Sequence, residues 1–414
     1  MNNFSTAAIA LAFVTTSVMS SNLFASTARE TNLNLPGIKH ADLFGTDVSL
    51  NSTMTVIGAP GRSYPDFESG TAFIFDMKGN YVKNLRANDS YSVSNFGEAI
   101  AINDQHIVVG APMTEDHMSF PGAVYVFDTQ GIQKRKLTAS DKDSHAQFGA
   151  AVDLYNNHVI VGSPFKEVND ETWAGAAYIY DVNTGQQKFR ITADDYNETD
   201  HFGNAVAISS NTALIGAYSH EHRGDDSGAA YLFDMQTGKQ EKLIPTDNLE
   251  DDQFGYSVAL SEEYALIGAP GADINDEDDA GSVYVYDHQG TFINKLIADD
   301  GDFIDHFGYS VAISGDTAII GAYFDDNEFL FQHGSAYLFD IPSGKQIRKI
   351  VSKDESASFF GRAVDIHGEN FVIGSTNSSA DDTIFSSYLY TVPEPTSLAL
   401  LSLSSLVLLT RKRH

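Results

Sequence analysis

The stretch Phe307-Gly308-Tyr309-Ser310-Val311-Ala312-Ile313, then Ser314-Gly315-Asp316-Thr317, then Ala318-Ile319-Ile320-Gly321-Ala322, decides the fold of this chain. Two apolar runs with period-two alternation flank a tight polar turn, the pattern of a β-hairpin. A third run follows at Gly334-Ser335-Ala336-Tyr337-Leu338-Phe339-Asp340. After the turn Ile341-Pro342-Ser343-Gly344 comes a fourth, from Gln346 to Val351. β-Branched and aromatic residues fill the runs, and Asp, Asn, Gly and Pro fill the turns. This is a four-stranded antiparallel meander.

The unit recurs seven times. Phe-Gly pairs stand at Phe44-Gly45, Phe96-Gly97, Phe148-Gly149, Phe202-Gly203, Phe254-Gly255, Phe307-Gly308 and Phe360-Gly361, their glycines 52, 52, 54, 52, 53 and 53 residues apart. Thirteen residues after each comes another glycine: Gly58, Gly110, Gly162, Gly216, Gly268, Gly321 and Gly374. Three of these open Gly-Ala-Pro, and the others read Gly-Ser-Pro, Gly-Ala-Tyr twice and Gly-Ser-Thr. One four-stranded sheet cannot bury both its faces, whereas seven arranged radially can. The sequence therefore predicts an all-β chain forming one seven-bladed β-propeller over residues 31–391, with the glycines where neighbouring backbones approach closely and each Phe as an apolar wedge between sheets. The seventh copy stops after its third strand, Ser387 to Thr391. Leu33 precedes Phe44 by the same 11 residues that separate Leu296 from Phe307, so residues 31–35 are predicted to supply the missing outer strand.

These repeats resemble the FG-GAP repeat of integrin α-subunit propellers and many bacterial surface proteins. The resemblance spans roughly residues 31–392 and implies extracellular recognition or adhesion rather than catalysis. Integrin-type repeats often place an Asp-rich calcium loop between their first two strands. Here that connection is a bare turn, such as Ser209-Ser210-Asn211-Thr212.

The two ends read as addresses. Residues 1–25 carry no charged side chain and include the apolar run Ala7 to Val14, as in a secretory signal peptide. At the other end, residues 392–414 hold Pro393-Glu394-Pro395, an apolar run from Leu398 to Leu409, and Arg411-Lys412-Arg413. This order resembles the PEP-CTERM sorting signal of Gram-negative bacteria. It implies recognition of Pro393, Glu394 and Pro395 by an exosortase-type processing enzyme, with transient or C-terminal membrane association. The expected destination is the cell surface, outer membrane or extracellular matrix.

Composition narrows the function. With 56 acids against 25 bases, the formal charge is −31, which repels nucleic acid and excludes it as a partner. There is no cysteine, so disulfides, thiol catalysis and metal–thiolate sites are excluded. In a meander the 2–3 and 4–1 connections share one face, and they carry 20 and 18 of the acids, predicting one strongly negative mouth. Crowded carboxylates favour a hard cation, and Ca²⁺ suits them best. The candidate ligands are Asp299, Asp300, Asp302 and Asp305, together with Asp273, Asp276 and Asp278. Asp194, Asp195 and Asp200, and Asp247, Asp251 and Asp252, are weaker analogues. The competing reading is a solvated face whose Asp residues cap turns. His220-Glu221-His222, His201 and His306 have no third metal ligand placed by the sequence. No nucleophile elbow, His-Glu-x-x-His or P-loop occurs. The expectation is a non-enzymatic, exported recognition protein for an extracellular protein or polysaccharide. Its alternatives are a hydrolase or lyase with its site at the propeller mouth, and a purely structural surface component.

Overall fold

In the computed structural model the chain is described over residues 28–391, apart from 40–41, 63–68, 90–93, 115–118, 142, 223, 276, 327–332, 355–357 and 376–386. The two predicted address segments, including Pro393, Glu394 and Pro395, lie outside the described residues. Among the described residues twenty-eight strands form seven antiparallel sheets of four, over residues 48–85, 100–137, 151–191, 206–243, 257–296, 310–350 and 363–391. The last sheet is completed by Arg29–Leu33. This is the predicted seven-bladed propeller, closed by its N-terminal strand.

The closing strand runs antiparallel to Ser387–Thr391, with Arg29 opposite Thr391 and Leu33 opposite Ser387. It lies two residues earlier than the predicted 31–35. The reason is packing: every outer strand ends on the aliphatic residue that enters the core, and here that residue is Leu33, fully buried like Leu85 and Leu296. Asn34 and Leu35 have already left the sheet.

Each core lies between blades, not within one. Around Phe96 gather Val56 and Ile74 of the first blade and Ile107, Val109, Tyr125 and Phe127 of the second. Around Phe44 the closure repeats this, with Leu33, Val372 and Leu389 of the last blade against Ile57 and Phe75 of the first. Every Phe of the seven pairs is buried. All seven meet an aromatic ring of the following third strand, such as Phe202 on Tyr231 at 5.2 Å or Phe307 on Tyr337 at 5.4 Å, in the edge-on geometry that ring quadrupoles favour.

The 13-residue spacing is a hydrogen bond. The amide of each Phe-Gly glycine donates to the carbonyl of the glycine 13 residues on, from Gly45 to Gly58 (2.8 Å) through Gly361 to Gly374 (3.1 Å). The Phe-Gly glycines have φ of +90° to +100°, as the third position of a tight turn requires. The second glycine faces the next blade. A Cβ on Gly216 would lie 2.0 Å from the Gly255 carbonyl oxygen, and one on Gly321 would lie 1.9 Å from that of Gly361. At the closure the same approach joins Gly374 to Gly45, at 2.4 Å. No side chain fits there.

Replacing Gly216 by Ala is therefore expected to cost about 3 kcal/mol or more, because backbone would have to move on both blades. Gly238 lies on an outer turn with φ +71° and nothing within 4 Å of an added Cβ, so Gly238→Ala should cost only about 1 kcal/mol. Urea denaturation of both variants measures the difference.

Candidate functional site

The 2–3 and 4–1 connections lie side by side on one face, as the meander requires. They are tied blade to blade by backbone bonds such as His201 N–H to Trp173 O (3.0 Å) and Ile304 N–H to Asp278 O (2.9 Å). The residue before each Phe-Gly pair (Leu43, Asn95, Gln147, His201, Gln253, His306 and Phe359) is left-handed in all seven copies, with φ of +51° to +57°. Such a conformation is costly for residues with a Cβ, and strain of this kind gathers at working surfaces. The residue after each Phe-Gly pair rings the channel mouth: Thr46, Glu98, Ala150, Asn204, Tyr256, Tyr309 and Arg362 line a chamber of about 330 Å³.

The acids expected at this face lie in the loops rather than among these seven residues. Of those seven residues one is an acid and one a base. The acids sit on the perimeter, and most of the predicted calcium ligands that can be placed already have protein partners. The Asp seven residues before the Phe reaches back to a base on the blade's outermost strand: Asp89 to Lys136 (2.6 Å), Asp141 to Arg190 (2.8 Å), Asp195 to Lys242 (2.6 Å), Asp247 to Lys295 (2.9 Å) and Asp300 to Lys349 (2.8 Å). Four of these bases lie over a buried Tyr ring of the same blade, Lys295 being 4.7 Å from the Tyr284 centroid. The Asp two residues before the Phe is buried and caps its own loop. Asp305 accepts from Asp302 N–H (2.8 Å), Asp200 from Asn197 N–H (2.6 Å) and Asp252 from Leu249 N–H (2.7 Å).

Asp273 accepts from Asp279 N–H (3.1 Å), and Asp302 accepts from Phe303 N–H (2.8 Å). Asp278 and Asp299 are exposed, and Asp276 lies outside the described residues. Among the described residues no three Asp, Glu or His side chains come together as a metal cage. His220 is buried against Asp200 (3.0 Å) and beside Lys242, a structural role rather than a ligand set.

What the sequence reading missed is aromatic. Rings from five consecutive blades form a connected arc on this face. Phe165 meets Trp173 (5.7 Å), which stacks on His201 (6.1 Å), which stacks on Tyr218 (5.3 Å, 9° between planes). Tyr218 meets Tyr256 (5.5 Å), then Tyr309 (4.9 Å), then Tyr323 (4.0 Å), where His306, Phe324 and Phe359 gather. Trp173 is 49% exposed, and the other rings are half-buried. The signal was in the sequence at five different repeat positions: before Phe-Gly (His201, His306, Phe359), after Phe-Gly (Tyr256, Tyr309), two and three residues after the second glycine (Tyr218 and Tyr323, Phe165 and Phe324), and two before the third-strand glycine (Trp173).

Deeper in the channel stand Asp47, Asp153 and Asp365. Each carboxylate accepts from its own next amide and from an amide of the following blade's inner strand: Asp47 from Ile100 N–H (2.6 Å), Asp153 from Ile208 N–H (2.7 Å), Asp365 from Leu50 N–H (2.8 Å). Inner strands have a free edge, and these side chains satisfy part of it. Burial pushes Asp47 and Asp365 up to about 7 and Asp153 up to about 6. Burial likewise raises Asp305 to about 7 and Asp252 to about 6.

In these five groups the folded chain holds protons that the unfolded chain, titrating near 4, has lost. Stability should therefore fall as pH rises from about 4 through about 7. On outer turns the sign reverses. Amides of Thr184 on Asp181, and of Thr237 and Gln236 on Asp234, hold those carboxyls below their ordinary range, so that contribution is lost as pH falls below about 4. The melting temperature should peak near pH 4 and decline toward pH 8, as thermal melts across pH 3–9 would measure. Asp365→Asn should flatten the decline.

Five successive FG-GAP repeats match the chain, at residues 80–127, 132–180, 186–233, 237–286 and 291–339. Each match begins just before a blade's outer strand and ends on the third strand of the next blade, so the repeating sequence unit straddles two blades. The first and last strand sets of the ring, 29–76 and 345–391, have the same order. No curated protein matches the chain. With more than half its length matched, seven blades and both signature glycines in their structural roles, the chain belongs to the FG-GAP repeat family.

Proposed function

We propose that this protein is an exported, non-enzymatic recognition or adhesion protein that displays its propeller at the cell surface or in the extracellular matrix and binds a protein or polysaccharide through the mouth face. One observation carries this reading: the half-exposed aromatic arc, supplied by five blades and held partly on left-handed backbone. Aromatic rings give large contact area at low entropic cost and are favoured at recognition surfaces. Family membership supports a surface role. Among the described residues no helix is long and apolar enough to cross a membrane. Residence outside the cell in this proposal therefore rests on the two terminal address segments, with processing by an exosortase-type enzyme.

Calcium enters the proposal as a counter-ion of the exposed carboxylates Asp273, Asp278, Asp299 and Asp302, since among the described residues no cage is assembled. Such screening should raise the melting temperature gradually and to the same extent with magnesium. A steep, calcium-selective rise at micromolar concentration would instead require a discrete site.

The test is adhesion of intact Gram-negative cells producing the chain. Protease shaving should remove the propeller from the surface, and cells should gain adherence. Trp173→Ala combined with Phe359→Ala should reduce that adherence several-fold with the melting temperature unchanged. A chain protected inside the cell, or adherence indifferent to these rings, would contradict the proposal.

A further inference from the structure

The mouth is lined asymmetrically, and that asymmetry selects a ligand class. On one side Tyr256 and Tyr309 pack ring to ring at 4.9 Å. Glu98 and Arg362 line the same chamber, Arg362 on the blade next to that of Tyr309 and Glu98 two blades further round the ring, with Asn204 on the blade beside Tyr256. Burial raises the Glu98 carboxyl and the Arg362 guanidinium partly offsets it, so the two side chains share one partly desolvated space. Glu98 when ionised only accepts hydrogen bonds and Arg362 only donates, while the Asn204 amide is already held by the Tyr256 carbonyl (2.9 Å).

Each simpler ligand class fails against this set. An anion meets a chain of net charge −31. A cationic side chain satisfies Glu98 but is driven against Arg362. An apolar ligand would strip water from Glu98 and Arg362 and return no hydrogen bonds. A neutral sugar meets every requirement: its hydroxyls donate to Glu98 and accept from Arg362, while its C–H face lies on the tyrosine rings. The chamber, about 330 Å³, is of small-ligand size. From it the arc continues through Tyr218 and His201 to Trp173, so a longer chain has further rings to follow.

Resting on the recognition reading above, we infer that the mouth binds a neutral oligosaccharide. Tyr256 and Tyr309 form its stacking platform, and Glu98 and Arg362 are its acceptor and donor.

The experiment uses the full chain, whose single tryptophan is Trp173, at the far end of the arc. Neutral hexasaccharides of glucose, mannose, galactose and N-acetylglucosamine are titrated by calorimetry and by Trp173 fluorescence. At least one should bind saturably and shift the emission. Tyr256→Ala with Tyr309→Ala should weaken it about tenfold or more. The Phe pair at the same positions, which keeps the rings and the packing, should retain most of the affinity. Glu98→Gln and Arg362→Met should each weaken binding several-fold without lowering the melting temperature.

No saturable binding of any of the four sugars overturns the inference, as does sugar binding unaffected in the folded Tyr variants. If a basic peptide such as hexalysine binds in a Tyr256-dependent way while the sugars do not, the sugar inference falls and the recognition reading stands. If neither sugar, peptide nor protein is bound, both fall.

Discussion

A glycine α-carbon pressed against the carbonyl of the next blade is the constraint on which the rest of the molecule depends. At each of the seven interfaces the second-strand glycine lies where an added Cβ would sit 1.9–2.4 Å from the following Phe-Gly carbonyl oxygen. That approach sets blade spacing, and blade spacing lets each Phe fill the gap between sheets. The residue before each Phe enters the same turn in the left-handed conformation. Sheet closure and core thus share one geometric cause. Because the repeating unit contributes its first strand to one blade and its next three to the following blade, closure by Arg29–Leu33 is the ordinary junction made once more between distant parts of the chain.

The distribution of charge shows how a very acidic chain can keep an amphipathic mouth. Perimeter Asp residues are drawn to the bases of the outermost strands, and buried Asp residues cap loops or the free edges of inner strands. Single exposed pairs of this kind contribute about 0–1 kcal/mol each. Their consequence is placement: carboxylates are held at the edge and in the channel, leaving aromatic rings, one acid and one base around the opening.

Much of the fold was legible in the sequence because the constraint admits only glycine. Gly45 with Gly58, and each later pair, is a direct readout of a hydrogen bond and a steric exclusion. Leu33 could be aligned by its distance from Phe44, yet the strand ends were placed two residues late because the terminal buried residue is Leu33 itself. A third glycine column, Gly70 through Gly334, went unread although an added Cβ there would lie 2.1–2.2 Å from a Phe carbonyl oxygen. The site was far less legible. Acids can be counted in a sequence, but their neutralisation by Lys136, Lys242 or Lys349 depends on which strand is outermost. The arc was hidden because its rings occupy different repeat positions in different blades, so no single column of the repeat is aromatic. Trp173 and Tyr309 are joined only by the curvature of the ring.

Amide hydrogen exchange tests the closed ring most directly. All seven Phe-Gly glycine amides, bonded at 2.8–3.1 Å, should exchange slowly and at similar rates, Gly45 and Gly361 beside the closure included, with the amides of Arg29–Leu33 protected alongside them. Rapid exchange at Gly45 and in Arg29–Leu33, with the other blades still protected, would show an open ring and contradict the account.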